Sequence, residues 1–238
     1  VPINTTAQQD LQMLQRCRQA LQAEHTAVVN RLRGFALEYG QAFPQGVSHL
    51  RRALNDWLAG EHRLSALALH TFEELRTQLD DKQARLADYE RRIDAALAED
   101  PRAHQLMAIP GVGRIISCGV LAAVGHARHF GSGRDLAANL GLVPREHSSG
   151  GRQRLYGITK RGDAYLRSLL IHGARSALRT AADKPDRLLQ WAHRLAERRG
   201  PNIAAVALAN KMARVIWALL AHERPYVPAG PAGRPRSA

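Results

Sequence analysis

Two stretches of more than thirty residues each carry an apolar seam with a heptad stride, and they limit the fold more than any other feature of this 238-residue chain. In residues 5–39, Leu11, Leu14, Leu21, Val28, Leu32, Phe35 and Tyr39 fall on a and d positions, with Arg18 and His25 interrupting the seam. In residues 64–97 the seam runs Leu64, Ala68, Phe72, Leu75, Leu79, Lys82, Leu86, Tyr89 and Ile93, in steps of four and three with charged residues on the other face. Both read as long helices. Gly40 and Pro44 stop the first, and a short helix is expected over His49–Leu58, around Trp57. The two long helices would pack as an antiparallel hairpin or bundle within the chain, or pair with a second subunit as a coiled coil, and the pattern allows either.

Charge divides the chain at about the same place. Residues 1–101 hold 12 Lys and Arg against 14 Asp and Glu, whereas residues 102–238 hold 22 against 7, a net of +15. Arginine supplies most of these cations, as GC-rich coding would, but that bias does not place the whole excess in one half. A basic half on an otherwise balanced chain points to a polyanion, and nucleic acid fits better than a membrane because no basic amphipathic helix with an aromatic face is present. No uninterrupted run of about 18 apolar residues occurs, and no signal peptide is visible. Cys17 and Cys118 are far apart, with no Cys-x-x-Cys, and the eleven His are scattered, with no His-Glu-x-x-His. This disfavours a disulfide scaffold or a zinc site and fits a reducing cytoplasm.

Asp100-Pro101 marks a break. Beyond it residues 102–125 read as helix, Pro110-Gly-Val-Gly113 turn, helix, in the manner of a helix-hairpin-helix. In such a hairpin the glycine turn brings backbone N–H groups to a phosphate without reading sequence, which makes Gly111, Gly113 and Arg114 candidate nucleic-acid contacts. The same hairpin also serves protein packing. It is not a dinucleotide fingerprint, since Ile116 occupies the third glycine's place and no strand precedes it. Ser132 reads as the N-cap of a helix over Gly133–Leu140, with Asp135 three residues later, and Gly141 as its left-handed C-cap. Further on come a helix from Thr159 to about Ala182, one starting at Lys184-Pro185-Asp186, and an apolar one capped by Asn202 over Ile203–Leu220. The Pro- and Gly-rich stretch from Arg224 reads as a disordered tail.

The chemistry concentrates in residues 141–170. Short extended segments around 142–145 and 153–158 would pair as a small hairpin across Ser148-Ser149-Gly150-Gly151. Around the serines stand Arg145, Arg152, Arg154, Lys160, Arg161 and Arg167. With Thr159 as N-cap, Lys160 and Arg161 would occupy a first helical turn, where the macrodipole disfavours cations, so a bound phosphate would account for them better than helix stability. A serine hydroxyl attacking a phosphodiester would yield a phosphoserine linkage that conserves bond energy, and it needs cations to offset charge at phosphorus. His147 is a weaker candidate, as a proton shuttle. The competing reading is a glycine-rich surface loop with solvated charges. Ser149 is preferred over Ser148 because Gly150 follows it directly, leaves the approach path open and can take a positive φ.

The run Ser-Gly-Gly, then Gly-Ile-Thr-Lys-Arg-Gly, then Tyr-Leu-Arg, together with Ile109-Pro-Gly-Val-Gly113, Phe130 and Leu136-Ala-Ala-Asn-Leu-Gly-Leu-Val-Pro144, resembles the C-terminal, serine-bearing domain of the bridge-RNA-guided insertion-sequence transposases. The resemblance covers roughly residues 1–222. It implies a DNA transposase and recombinase that forms a phosphoserine intermediate at the serine preceding glycine. It also implies, as partners, insertion-sequence ends, target DNA and a structured guide RNA, a homo-oligomer, and a place in the bacterial cytoplasm at the nucleoid. Family members carry an N-terminal Holliday-junction-resolvase-like domain with four acidic metal ligands. That domain is not in this sequence, which begins at Val1 and reads as a fragment. Mg²⁺ is therefore expected in the full-length protein and no cofactor in these residues, so the fragment should bind but not cut. The chain as a whole is expected to be mainly α, with helical coiled-coil residues 1–100, a transposase domain 101–223 holding the helix-hairpin-helix-like motif and one small β-hairpin, and a tail 224–238. The alternative is a non-catalytic nucleic-acid-binding and dimerisation module.

Overall fold

The computed structural model describes residues 4–60, 62–125, 127–182 and 186–228. Among these the chain is mainly α, with nine helices, a 3-10 turn at Ala127–His129 and one two-stranded antiparallel sheet. It forms two compact units, one of Met13–Arg92 and one of Val1–Gln12 with Ile93–Ala238.

The first unit is built from α2 (Val47–Ala59) and from most of α1 (Thr6–Glu38) and α3 (Ala66–Ala98), whose first and last turns respectively fall in the second unit. Two cross-helix ion pairs show that α1 and α3 run antiparallel within the chain: Arg18 with Glu90 at 2.6 Å and Lys82 with Glu24 at 2.7 Å. Val28, Val29, Leu32 and Ala36 of α1, Leu50 and Leu54 of α2, and Phe72, Leu75 and Leu79 of α3 share one core. On α3 the expected seam is buried at Phe72, Leu75, Leu79, Leu86 and Ile93. On α1 it drifts. Past Val28 the buried line is Val29, Leu32 and Ala36, while Phe35 and Tyr39 are 39% and 49% exposed. A straight helix advances at 3.6 residues per turn, so a strict 3.5 repeat rotates off the contact line over several heptads. α1 ends in a Schellman motif: Gly40 sits at φ 76°, its N–H donates to the Leu37 carbonyl, and the Gln41 N–H donates to the Ala36 carbonyl.

In the second unit α9 (Pro201–His222) is the central helix, and α6 (Gly133–Asn139), α7 (Ala164–Arg179) and α8 (Arg187–Arg199) pack on it. Although no unbroken apolar run occurs, α9 is long and apolar enough by composition to cross a membrane, and half of its apolar window is buried inside the protein. Ala204, Leu208, Met212, Ile216 and Leu219 are among its buried residues, as expected of a core helix. Gly200 precedes it and Pro201 fills its first turn, so Asn202 is not the cap; its side-chain oxygen accepts from Arg175 Nη2 at 3.2 Å. Asp186 caps α8 through a bond from the Leu188 N–H, while Lys184 and Pro185 lie outside the described residues. The beginning of the expected tail is tied down: the Tyr226 hydroxyl donates to Asp186 Oδ2. Residues 229–238 lie outside the described residues.

Candidate serine hairpin and nucleic-acid interface

Helix α6 leads into the site. Ser132 caps it, its hydroxyl oxygen accepting from the Asp135 N–H, and it ends in a second Schellman motif. There Gly141 stands at φ 67°, and the Gly141 and Leu142 N–H groups donate to the Ala138 and Ala137 carbonyls. The chain then runs into β1 (Pro144–Glu146) and returns through β2 (Leu155–Ile158). Below the strands the Thr159 N–H donates to the Val143 carbonyl and the Lys160 N–H to the Gly141 carbonyl. Above them the His147 N–H donates to the Arg154 carbonyl, and Ser149 and Arg152 form the last bridge, with the Arg152 N–H on the Ser149 carbonyl at 3.0 Å. Gly150 and Gly151 sit at φ 57° and 73° between them. Two central residues at positive φ make a type I′ turn, the connection that matches strand twist and that glycine pairs favour.

This register sorts the hairpin's side chains. Ser149 lies directly opposite Arg152, and cross-strand partners hold their Cβ atoms about 4.5–5.5 Å apart. Side chains alternate along a strand, so His147 and Ser149 share a face with Arg152 and Arg154, while Arg145 sits where the strand register shifts opposite residues 156 and 157. The ring contact between His147 and Tyr156, at 5.5 Å between centroids, fits that face. Glu146 and Ser148 occupy the other one, where the Ser148 hydroxyl donates to Glu146 Oε1 and accepts from the Arg154 N–H at 3.3 Å. Ser148 thus stitches the hairpin together, while Ser149 is exposed and its hydroxyl takes part in none of the chain's hydrogen bonds among the described residues. Glu146 escaped the sequence reading. Its spacing of two from Ser148 was visible, but its meaning depends on the pair being in extended conformation. Residues 144–157 are exposed throughout, with Leu155 55% and Tyr156 52% accessible.

Several expected contacts sit elsewhere. Thr159 is not a helix cap: α7 begins at Ala164, and Asp163 caps it by accepting from the Leu166 N–H at 2.9 Å. The Thr159 hydroxyl is enclosed with no hydrogen-bond partner, so it does not face solvent as a phosphate ligand would require. Lys160 and Arg161 fall in the preceding turn rather than in a first helical turn, with Lys160 at φ 57°. The turn is shaped by backbone packing: a Cβ on Gly162, which is at φ 77°, would come within 1.8 Å of the Asn139 carbonyl oxygen, and one on Gly141 within 2.2 Å of that of Arg161. Arg167 clamps this junction, donating through Nη1 to the Leu140 and Arg161 carbonyls at 3.0 Å each. Lys160 lies eight positions beyond the turn residue Arg152, at the foot of the hairpin.

The Pro110–Gly113 turn lies between α4 (Pro101–Met107) and α5 (Arg114–Val124). Gly111, at φ 84°, is pressed against α7, where a Cβ would meet the Gly173 carbonyl oxygen at 2.3 Å. Its lack of a side chain therefore serves helix packing. Gly113 is exposed at the N-terminus of α5, and Arg114 pairs with Asp94 at 3.1 Å. Gly173 lies six residues beyond Arg167, about 9 Å along α7, so the turn and the hairpin foot meet the same helix at different levels.

The resemblance implies carboxylate-bound Mg²⁺. Among the described residues no group of three or more His, Cys, Asp and Glu gathers to hold a metal ion. The described residues do not fit that group.

The chain is mainly helical and presents an exposed serine on a short hairpin. Residues 103–190 match the IS116/IS110/IS902 transposase family. The chain is 44% identical over 230 residues to a probable family 20 transposase of Pseudomonas aeruginosa, covering 96% of this chain and 68% of that protein. It is 41% identical over 223 residues to the transposase for insertion sequence element IS1111A of Coxiella burnetii (93% of this chain, 61% of the other). With the transposase for insertion sequence element IS1328 of Yersinia enterocolitica it shares 34% over 213 residues (90% and 63%). The chain belongs to the IS116/IS110/IS902 family of transposases. It spans about two thirds of the length of these curated relatives.

Proposed function

We propose that this chain is the serine-bearing part of a DNA transposase and recombinase, with Ser149 as the nucleophile of a strand-transfer reaction. The observation that carries this reading is the division of the two serines: Ser148 is spent on Glu146 and the Arg154 N–H, whereas Ser149 stands unengaged opposite Arg152 at the tip. In the proposed step Ser149 Oγ forms a bond to phosphorus and loses its proton, and the P–O bond to one sugar breaks. The departing sugar oxygen takes up a proton. His147, two residues away on the same face, is the candidate acceptor of the serine proton. Arg145, Arg152 and Arg154 would offset the charge that builds on the phosphoryl oxygens. The phosphoserine bond keeps the energy of the phosphodiester, so rejoining needs no nucleotide hydrolysis.

The wider expectations belong to the same reading. The basic residues 102–238 would contact insertion-sequence ends and target DNA, a structured guide RNA would choose the sites, and the protein would act as a homo-oligomer at the bacterial nucleoid. With the α1 and α3 seams buried within the chain, such an oligomer would use other surfaces. Metal-binding carboxylates would come from outside the described residues. The test is to trap the covalent protein–DNA adduct in the full-length transposase and map it by mass spectrometry. A phosphonucleotide on Ser149, with recombination lost in Ser149→Ala and DNA binding retained, is the expected result. An adduct on Ser148, or none during active recombination, would overturn the assignment, and no adduct would favour a non-catalytic binding module.

A further inference from the structure

Helix α9 carries two cations that a core helix does not need. Lys211 and Arg214 lie at i and i+3 in a mostly apolar sequence, so both emerge on one side. Opposite them is the start of α6, held very close: a Cβ on Gly133 would stand 3.0 Å from the Arg214 Cα and carbonyl oxygen. That approach brings Arg134, the next residue, to the same place. Arg134, Lys211 and Arg214 line one cavity of about 760 Å³, within the range of about 300–1,000 Å³ typical of small-molecule sites. Among the described residues none of the three pairs with a carboxylate. Asp186 also lines the cavity, but its oxygens accept from the Leu188 N–H and the Tyr226 hydroxyl. The ammonium of Lys211 lies 3.7 Å from the Trp191 ring centroid, and burial, followed by the charge of Arg214, pushes its pKa below the ordinary lysine range. Three cations against the one carboxylate of Asp186 leave the lining net positive, and an anion there would relieve the repulsion among the cations.

The lining also carries aromatic side chains that are fixed in place. Trp217 donates its indole N–H to the Phe130 carbonyl at 3.0 Å, which sets the ring's orientation. Tyr226 is held through its hydroxyl on Asp186, bringing the segment after α9 to the cavity's edge. A bare phosphate site has no use for such rings. A base does, because every base offers a π-face to an aromatic ring whatever its identity.

We infer that this cavity takes one nucleotide of a single strand, the base against Trp217 and Tyr226 and the phosphate between Arg134 and Arg214. The site is distinct from the serine hairpin, shares none of its residues, and would hold a strand without reading its sequence. The inference rests on the nucleic-acid function proposed above. Its test uses the 238-residue chain and a short single-stranded oligonucleotide bearing one photoreactive 5-iodouracil, irradiated at low salt and mapped by mass spectrometry. Adducts on Trp217 or Tyr226 are expected. Arg134→Ala with Arg214→Ala should weaken binding about tenfold and shrink the slope of log affinity against log salt by about one to two, with the circular dichroism melt unchanged. Full binding by the double variant, with adducts confined to the hairpin, would overturn the cavity and leave the nucleic-acid reading standing. Failure of the unaltered chain to bind the oligonucleotide at all would overturn both.

Discussion

Ser149 and Ser148 are neighbours in the chain and both exposed, yet only Ser148 is held by hydrogen bonds, because a strand sends adjacent side chains to opposite faces. The same logic separates the arginines. Arg152 stands across from Ser149, while Arg167 is spent on two carbonyls at the hairpin's foot. Arg152→Ala in the full-length transposase should slow strand transfer by about 10²-fold with unchanged unfolding. Arg167→Ala should instead cost about 1–3 kcal/mol of stability, because two carbonyls lose a charged donor. Single-turnover kinetics and urea titration separate the two outcomes. Glycines give a second contrast. Gly150→Ala meets open space and pays only for φ 57°, about 1 kcal/mol, whereas Gly162→Ala would also drive a methyl into the Asn139 carbonyl and cost at least about 3 kcal/mol. Equal losses in denaturant would contradict this account of the α6–α7 junction.

Among the elements, α1 shows how a sequence interruption becomes a titratable weakness. His25 breaks the apolar seam and is 4% exposed, with its Nε2 lacking a partner. Burial holds its pKa below the usual histidine range; a hydrogen bond with Gln83 opposes this, and the Arg51 and Lys82 charges add to it. The folded protein therefore prefers the neutral ring, and the unfolded chain binds the proton more readily. The stability this preference contributes is fully present above the unfolded value of about 6.5 and is lost as pH falls below it. His25→Leu should raise stability near neutral pH by about 1 kcal/mol and flatten the decline that sets in below about pH 6.5. Denaturant titrations at several pH values decide this, and an unchanged pH profile would remove His25 as its source. The start of α7 carries a related lesson. Thr159 and Asp163 both have cap chemistry, and the chain uses Asp163 because residues 159–162 are already committed to the hairpin foot and to the contact with α6.

For the molecule as a whole, the charge asymmetry is the dominant long-range property. Residues 102–238 carry a net of +15. Binding to duplex DNA should fall steeply with salt, losing about 10³-fold or more between 50 and 200 mM if about six phosphates are contacted, and should depend little on sequence without guide RNA. A flat salt titration by fluorescence anisotropy would refute it. The first unit makes a separate prediction: its α1 and α3 seams are satisfied within one chain, so substitutions at Leu75 or Leu79 should lower the melting temperature by several degrees without specifically changing sedimentation.

What was legible in the sequence were features set by near neighbours. Helical stride marked out α1, α2 and α3 to within two residues, Ser132 and Asp135 marked the start of α6, Gly141 its end, and Gly150-Gly151 the turn of the hairpin. These depend on φ restrictions and hydrogen bonds spanning only a few positions. The charge division was equally legible because it is a count. Tertiary structure alone decided the choice between caps competing for α7, the rotation of the α1 seam, the packing role of Gly111 against Gly173, the face each serine takes, and the gathering of Arg134 and Arg214 at one cavity. The cap choice, the Gly111–Gly173 approach and the cavity turn on contacts between segments far apart in sequence, and the serines' faces on the pairing of two strands. There the energy of a backbone approach or a cross-strand register outweighs the roughly 1 kcal/mol preferences by which local sequence votes.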